Sequence, residues 1–172
     1  MNTTTPARTA TIEDAIDIAH HVVWGVMTTV DSRGRPRSRL VHPVWTMGFG
    51  EPVGWLTTRK TPLKTRHLAT NPHVSIAYIA ANTDFAYFDC VAEWADDEAG
   101  RQLCWDTFLE APEPVRYDPS TIWKDGPASE DFAALRFTPY RLTAGRAEQI
   151  ARGEKASIAR LDAASVTAEL LS

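Results

Sequence analysis

The sequence predicts a mainly β (α+β) fold, an antiparallel barrel with a few peripheral helices. Three observations predict it: six strand-like segments, short connections between them, and too few helices for an alternating parallel sheet. At 172 residues the chain fits one domain, 1–172, and no shift of composition marks a second. Hydrophobic residues make up 44% and charged residues 23%, the ordinary mixture of a chain that packs a core. Within that domain the expectation is a flexible tail over 1–10, a long loop over 110–131 and a C-terminal helix or tail over 149–172.

Thr11 is placed to cap a first helix, with Glu13 and Asp14 in its first turn and Ile12, Ala15, Ile16 and Ala19 at helical spacing, ending near His20. Residues 22–30 carry β-branched side chains and Trp24 and read as a strand, followed by the turn Asp31-Ser32-Arg33-Gly34. The second arm of that hairpin, 37–45, sets Arg37, Arg39, Val41 and Trp45 on one face. Pro43 marks an edge or a bulge in it. Gly48, Gly50 and Gly54 flank the next turn; spaced GxGxxxG, with no strand-to-helix crossover after them, they fit a hairpin and not a dinucleotide fingerprint.

A third strand covers 53–58, and Thr61-Pro62 opens a short helix that must stop before Asn71-Pro72. Residues 74–80 and 85–94 form two further strands around the turn 81–84, and Asp96-Asp97 opens a helix with an apolar side through Phe108. Pro112 and Pro114 end it. The following loop holds Tyr117, Ile122 and Trp123, too apolar to be left in water, so it packs on something. A last strand covers 134–145, and 161–171 reads as a terminal helix or frayed tail.

Several function classes lose support on composition. A net charge of −4 supplies no overall positive field for nucleic acid or an anionic membrane. No signal-peptide pattern opens the chain and no apolar run nears the roughly 18 residues of a span, so a cytoplasmic location is expected. Cys90 and Cys104 read as two buried thiols. The five histidines form neither HxxxH nor HExxH, no CxxC occurs, and no metal site is expected. GxSxG and P-loop strings are also missing. Asp89 and Glu93 share a strand face but stand about 13 Å apart at standard rise, too far for paired acid–base work.

The stretch that points to chemistry is 55–72, where hydroxyls at a strand end meet a helix start and several cations. A phosphomonoester is held by hydroxyls, free helix amides and one or two fixed cations. Thr57, Thr58, Thr61 and Lys64 can supply these, and Arg39 on the neighbouring strand can add a bidentate donor. Threonines at strand ends and lysines on solvated surfaces are also ordinary, so spacing alone leaves both readings open.

The order Gly34-x-Pro36-x-x-Arg39, then Thr57-Thr58, Lys64 with Leu68, and Asn71-Pro72-His73-Val74 resembles the FMN-binding split β-barrels of the pyridoxamine 5'-phosphate oxidase-like family, with the general stress flavoproteins and deazaflavin-dependent reductases. The likeness covers about 12–141. It implies that Arg39 and Lys64 contact the phosphate of FMN, that Thr57 and Thr58 bind near the phosphate or the ring, and that Leu40 and Val41 line the ring pocket. It further implies a homodimer with the cofactor at its interface.

Two departures bear on this. Val44 stands where the true oxidases carry a lysine, and Pro62-Leu63-Lys64 replaces their Ser-Arg-Lys, which argues against vitamin B6 oxidation. Either Arg59, Lys60 or Arg66 takes over phosphate contacts, or the cofactor is a deazaflavin. Trp55 beside Thr57, and Trp123 in the long loop, are candidates to lie near the ring. His42 is a candidate proton donor, though a lone strand histidine is commonly structural. The expected function is a flavin-dependent oxidoreductase acting on a small organic substrate; a deazaflavin-dependent reductase and a non-catalytic flavin- or haem-binding protein are the alternatives.

Overall fold

In the computed structural model, which describes residues 5–48 and 50–161, apolar alternation along the strands rolls one antiparallel sheet into a split barrel. The elements run α1 (Thr5–Val22), β1 (Gly25–Val30), β2 (Pro36–Val41), β3 (Val44–Gly48), β4 (Glu51–Thr58), α2 (Pro62–Thr70), β5 (His73–Ile79), β6 (Phe85–Ala95), α3 (Glu98–Glu110), β7 (Ala133–Gly145), α4 (Ala147–Ala151) and β8 (Ser157–Arg160). The sheet order is β2-β1-β5-β6-β7-β4-β3, with β8 added on β7.

The two ends of that order are one bent strand. The segment expected as a single strand over 37–45 breaks only at His42-Pro43, because proline cannot donate to a ladder. Its first half pairs with β1, Val41 opposite Gly25, and its second half with β4, Val44 opposite Trp55. Three Cα steps separate Val41 from Val44, at most about 11 Å. The sheet must therefore curl until its edges meet. This seam closes the barrel.

Alternate residues of the strands fill the interior. Met27, Ile76, Tyr78, Phe88, Leu135 and Phe137 are fully buried there, with Trp45 stacked on Phe88 at 4.0 Å. Its indole N–H donates to the Tyr78 hydroxyl at 2.9 Å, so neither polar atom is left unsatisfied. Gly54, opposite Trp45, is a position where only glycine fits: a Cβ there would sit 2.5 Å from the indole ring. The helix α1 lies on β6, β7 and β8 through Ile12, Ala15, Ile18 and Ala19. His20 Nε2 accepts from the Trp45 amide at 3.2 Å and ties the helix to β3.

A second cluster forms outside the barrel wall. Val44, Val53 and Trp55 pack there against Cys104, Trp105 and Phe108 of α3. The segment 111–131 closes over it with Ala111, Val115 and Trp123, and Phe132 follows, so the apolar loop does pack on the barrel. Two 3-10 turns, at Pro119–Thr121 and Gly126–Ala128, give it local order.

Some expectations are corrected. The first helix begins at Thr5, so residues 5–10 are helical and not a tail, and Thr11 lies inside the helix with its hydroxyl donating to the Ala7 carbonyl. Thr61 stands at the start of α2 without a side-chain cap. The strand β8 and the short helix α4 fall in a stretch whose alternation was too brief to read. The expected terminal helix over 161–171 lies almost wholly outside the described residues. Cys90 and Cys104 are buried free thiols. Asp89 and Glu93 face separate partners, Arg141 at 3.0 Å and Arg136 at 2.8 Å, which fits surface pairing. No helix among the described residues is long and apolar enough to cross a membrane, and none of their His, Cys, Asp and Glu side chains gather into a metal-binding group.

Candidate functional site

The barrel seam opens onto a cleft of about 500 Å³ whose two ends differ in chemistry. At one end stand cations and hydroxyls. Arg39 reaches in from β2, Thr57 and Thr58 from the end of β4, and Lys64 from the first turn of α2. Lys64 is buried; its Nζ donates to Thr58 Oγ1 at 2.5 Å and lies 5.5 Å from the Trp94 ring. Arg39 Nη2 donates to Thr29 Oγ1 at 3.0 Å, and the same oxygen lies 3.0 Å from His67 Nδ1. The other arm, Nη1, is buried and has no hydrogen-bond partner among the described residues.

Electrostatics at this end are those of positive charge held without a counter-charge. Burial, and after it the nearby Arg39 guanidinium, lower the Lys64 ammonium to about 8. Burial also lowers Arg39, with repulsion from Arg37 second. No carboxylate lines the cleft, and neither cation is in an ion pair among the described residues. An anion would be the missing partner.

Aromatic rings make the other end. Trp24 is exposed on one side, and Tyr117 and Trp123 come from the segment 111–131 with Ile122 at the rim. His42, at the seam, sits 5.1 Å from Trp24 and 5.4 Å from Tyr117, ring centre to ring centre. Tyr117 hydrogen-bonds with Thr57 through its hydroxyl, and burial pushes that phenol up to about 12. Leu40, exposed, and Val41, buried, complete the lining.

Eight of the sequence candidates thus meet at one cleft: Arg39, Leu40, Val41, His42, Thr57, Thr58, Lys64 and Trp123. Others, Thr61 among them, do not. Trp55 shares the outward face of β4 with Thr57, opposite Leu56 in the barrel interior, but packs in the cluster under α3 and not in the cleft. Lys60 pairs with Asp96 at 2.7 Å and lies over Trp94, outside the cleft. Arg59 likewise pairs with Asp131 at 2.6 Å, and Arg66 is exposed, so neither joins the lining. The sequence reading missed Trp24 and Tyr117. Tyr117 was legible only as an apolar residue in a polar loop, which says that it packs and not where.

No protein-family model matches the chain. No curated protein matches it either. Solved structures do, at low identity. A protein related to general stress protein 26, of the pyridoxinephosphate oxidase family, from Clostridium acetobutylicum superposes with a TM-score of 0.65 and 15% identity, over 90% of this chain and 96% of that one. A haem-binding protein from Mycobacterium smegmatis gives 0.60 and 18%, over 93% of this chain and 60% of that one. A haem storage protein from Vibrio cholerae gives 0.53 and 20%, over 72% and 85%. The chain therefore has the split-barrel fold expected from its sequence, and this fold serves proteins named for more than one ligand.

Proposed function

We propose that the cleft holds FMN, with the phosphate against Arg39, Lys64 and Thr58 and the ring against the aromatic end, and that the chain works as a flavin-dependent oxidoreductase on a small organic substrate. The observation that carries this reading is a buried lysine and a half-buried arginine, one arm of which is buried and unpaired, with no anionic partner beside an aromatic cavity. Such a pair is costly unless a ligand supplies the charge. The guanidinium offers a fixed fork and the ammonium a point charge, which together suit a phosphomonoester. When bound, a flavin supplies the hydride or electron step itself. The chain binds the tail, orients the ring and excludes water through the 111–131 segment.

A further feature supports a homodimer with the cofactor at its interface. Leu40, Val26, Ala77 and Tyr87 lie opposite one another across β2, β1, β5 and β6, and Leu40, Val26 and Tyr87 are exposed. That outward stripe runs into the cleft at Leu40. Two unpaired thiols support a reducing, cytoplasmic setting.

Haem is the second reading, favoured by the names of two of the superposed proteins. Its paired carboxylates would also suit Arg39 and Lys64. Titration of the apoprotein with FMN, a deazaflavin coenzyme and haemin separates the readings by their spectra. Under the FMN reading, Arg39→Ala and Lys64→Ala each lose about 1.5 to 3 kcal/mol, roughly ten- to a hundredfold in Kd. Unchanged FMN affinity in both variants removes the site. Bleaching of the bound flavin by a reduced nicotinamide would support the enzyme over a storage role.

A further inference from the structure

His42 has chemistry that the phosphate end does not use. Its Nε2 is buried in the wall of the cleft and has no hydrogen-bond partner among the described residues. The ring also hydrogen-bonds with the Val115 backbone, a contact that favours the protonated imidazole, so the ring is the donor there. Since Nε2 is the unpartnered atom, Nδ1 is the one that carries this proton. Burial lowers the imidazole from its usual value, which favours the uncharged ring. Its plane is fixed between Trp24 and Tyr117, with Phe108 edge-on at 5.8 Å.

A neutral imidazole held this way presents a bare lone pair to the aromatic end of the cleft. A buried acceptor left unmatched is unfavourable, and the surrounding rings supply no N–H or O–H to match it. We infer that His42 Nε2 accepts a hydrogen bond from a ring N–H of the bound ligand, which makes the cleft selective for planar heterocycles with an N–H donor at their edge. The inference rests on the cofactor reading above and deepens it. The pyrimidine half of a flavin or deazaflavin carries one such imide N–H. A porphyrin that binds through its iron would use the same lone pair differently.

The test pairs a change in the protein with a change in the ligand, so that their coupling isolates the contact. His42→Phe keeps the aromatic packing and removes the lone pair, His42→Gln keeps an acceptor, and N3-methylated FMN lacks the donor. Wild-type protein should bind FMN about tenfold more tightly than its N3-methyl analogue, the size of one neutral hydrogen bond. The Phe variant should bind the two alike, and the Gln variant should recover part of the preference. Nitrogen NMR of the apoprotein should also show the His42 Nε2 as unprotonated and shifted by FMN.

If the wild type binds FMN but ignores N3 methylation, or if the Phe variant discriminates as well as the wild type, the inference is overturned while the cofactor reading stands. If the wild type binds neither flavin, both fall. A haemin complex whose iron spectrum changes from that of a histidine ligand in His42→Phe would overturn the inference in favour of iron ligation.

Discussion

Lys64 shows how far one residue can be reasoned from its surroundings. Its ammonium is destabilised by burial and by Arg39, and its pKa falls to about 8. An anion beside it restores the charged form, so binding and protonation are linked. The sign follows: below pH 8 the ammonium is in place for the ligand, and above it each unit of pH removes part of the attraction. FMN affinity measured from pH 7 to 9 should therefore fall across that window, while phosphate ionisation, near pH 6, stays constant. Lys64→Arg should flatten the profile, because a guanidinium holds its charge there. An unchanged slope in that variant would contradict the assignment of Lys64. In the sequence the spacing after Thr57-Thr58 made Lys64 a candidate, and only the family resemblance favoured it over a surface lysine. The pairing of Lys60 with Asp96 was not legible there, because 36 positions separate them and only the fold brings them together.

Single elements were read well where periodicity is strong, as in β5, β6 and α3, and poorly where sterics or brevity decide. The sequence marked 53–58 as a strand but not that both of its faces would be covered, one by the barrel interior and one by α3. Trp55 was misplaced for that reason: its closeness to Thr57 in sequence put it on the same face of β4, not in the cleft. The hairpin β3–β4 offers an element-scale prediction. Gly54→Ala forces a methyl group against the Trp45 ring in a filled core, which should cost about 1 to 3 kcal/mol. Chemical denaturation would register it as a lower midpoint with an unchanged slope. At Gly50, whose φ of +80° belongs to the turn, alanine should also destabilise, but through backbone strain and with no effect on Trp45 fluorescence.

For the whole molecule, the apolar stripe through Val26 and Tyr87 sets an expectation about assembly. A chain of 19.1 kDa should sediment as a dimer, and Val26→Glu combined with Tyr87→Glu should shift it to the monomer by placing charges on the face that pairs. A monomeric wild type at micromolar concentration would remove the interface and leave the cleft half-built. The antiparallel barrel was visible in the sequence as six strand-like segments where the described residues form eight strands; that closure turns on His42-Pro43 was not, since Pro43 reads only as an edge or a bulge. That kink joins two roles in one piece of backbone. Arg39, Leu40, Val41 and His42 line the cavity on the same run of chain that stitches one rim of the sheet to the other. Occupancy and closure are consequently a single equilibrium: a guest present at a hundred times its Kd fastens the cylinder by about 2.7 kcal/mol, and a chain that unzips along this line has no berth left to offer.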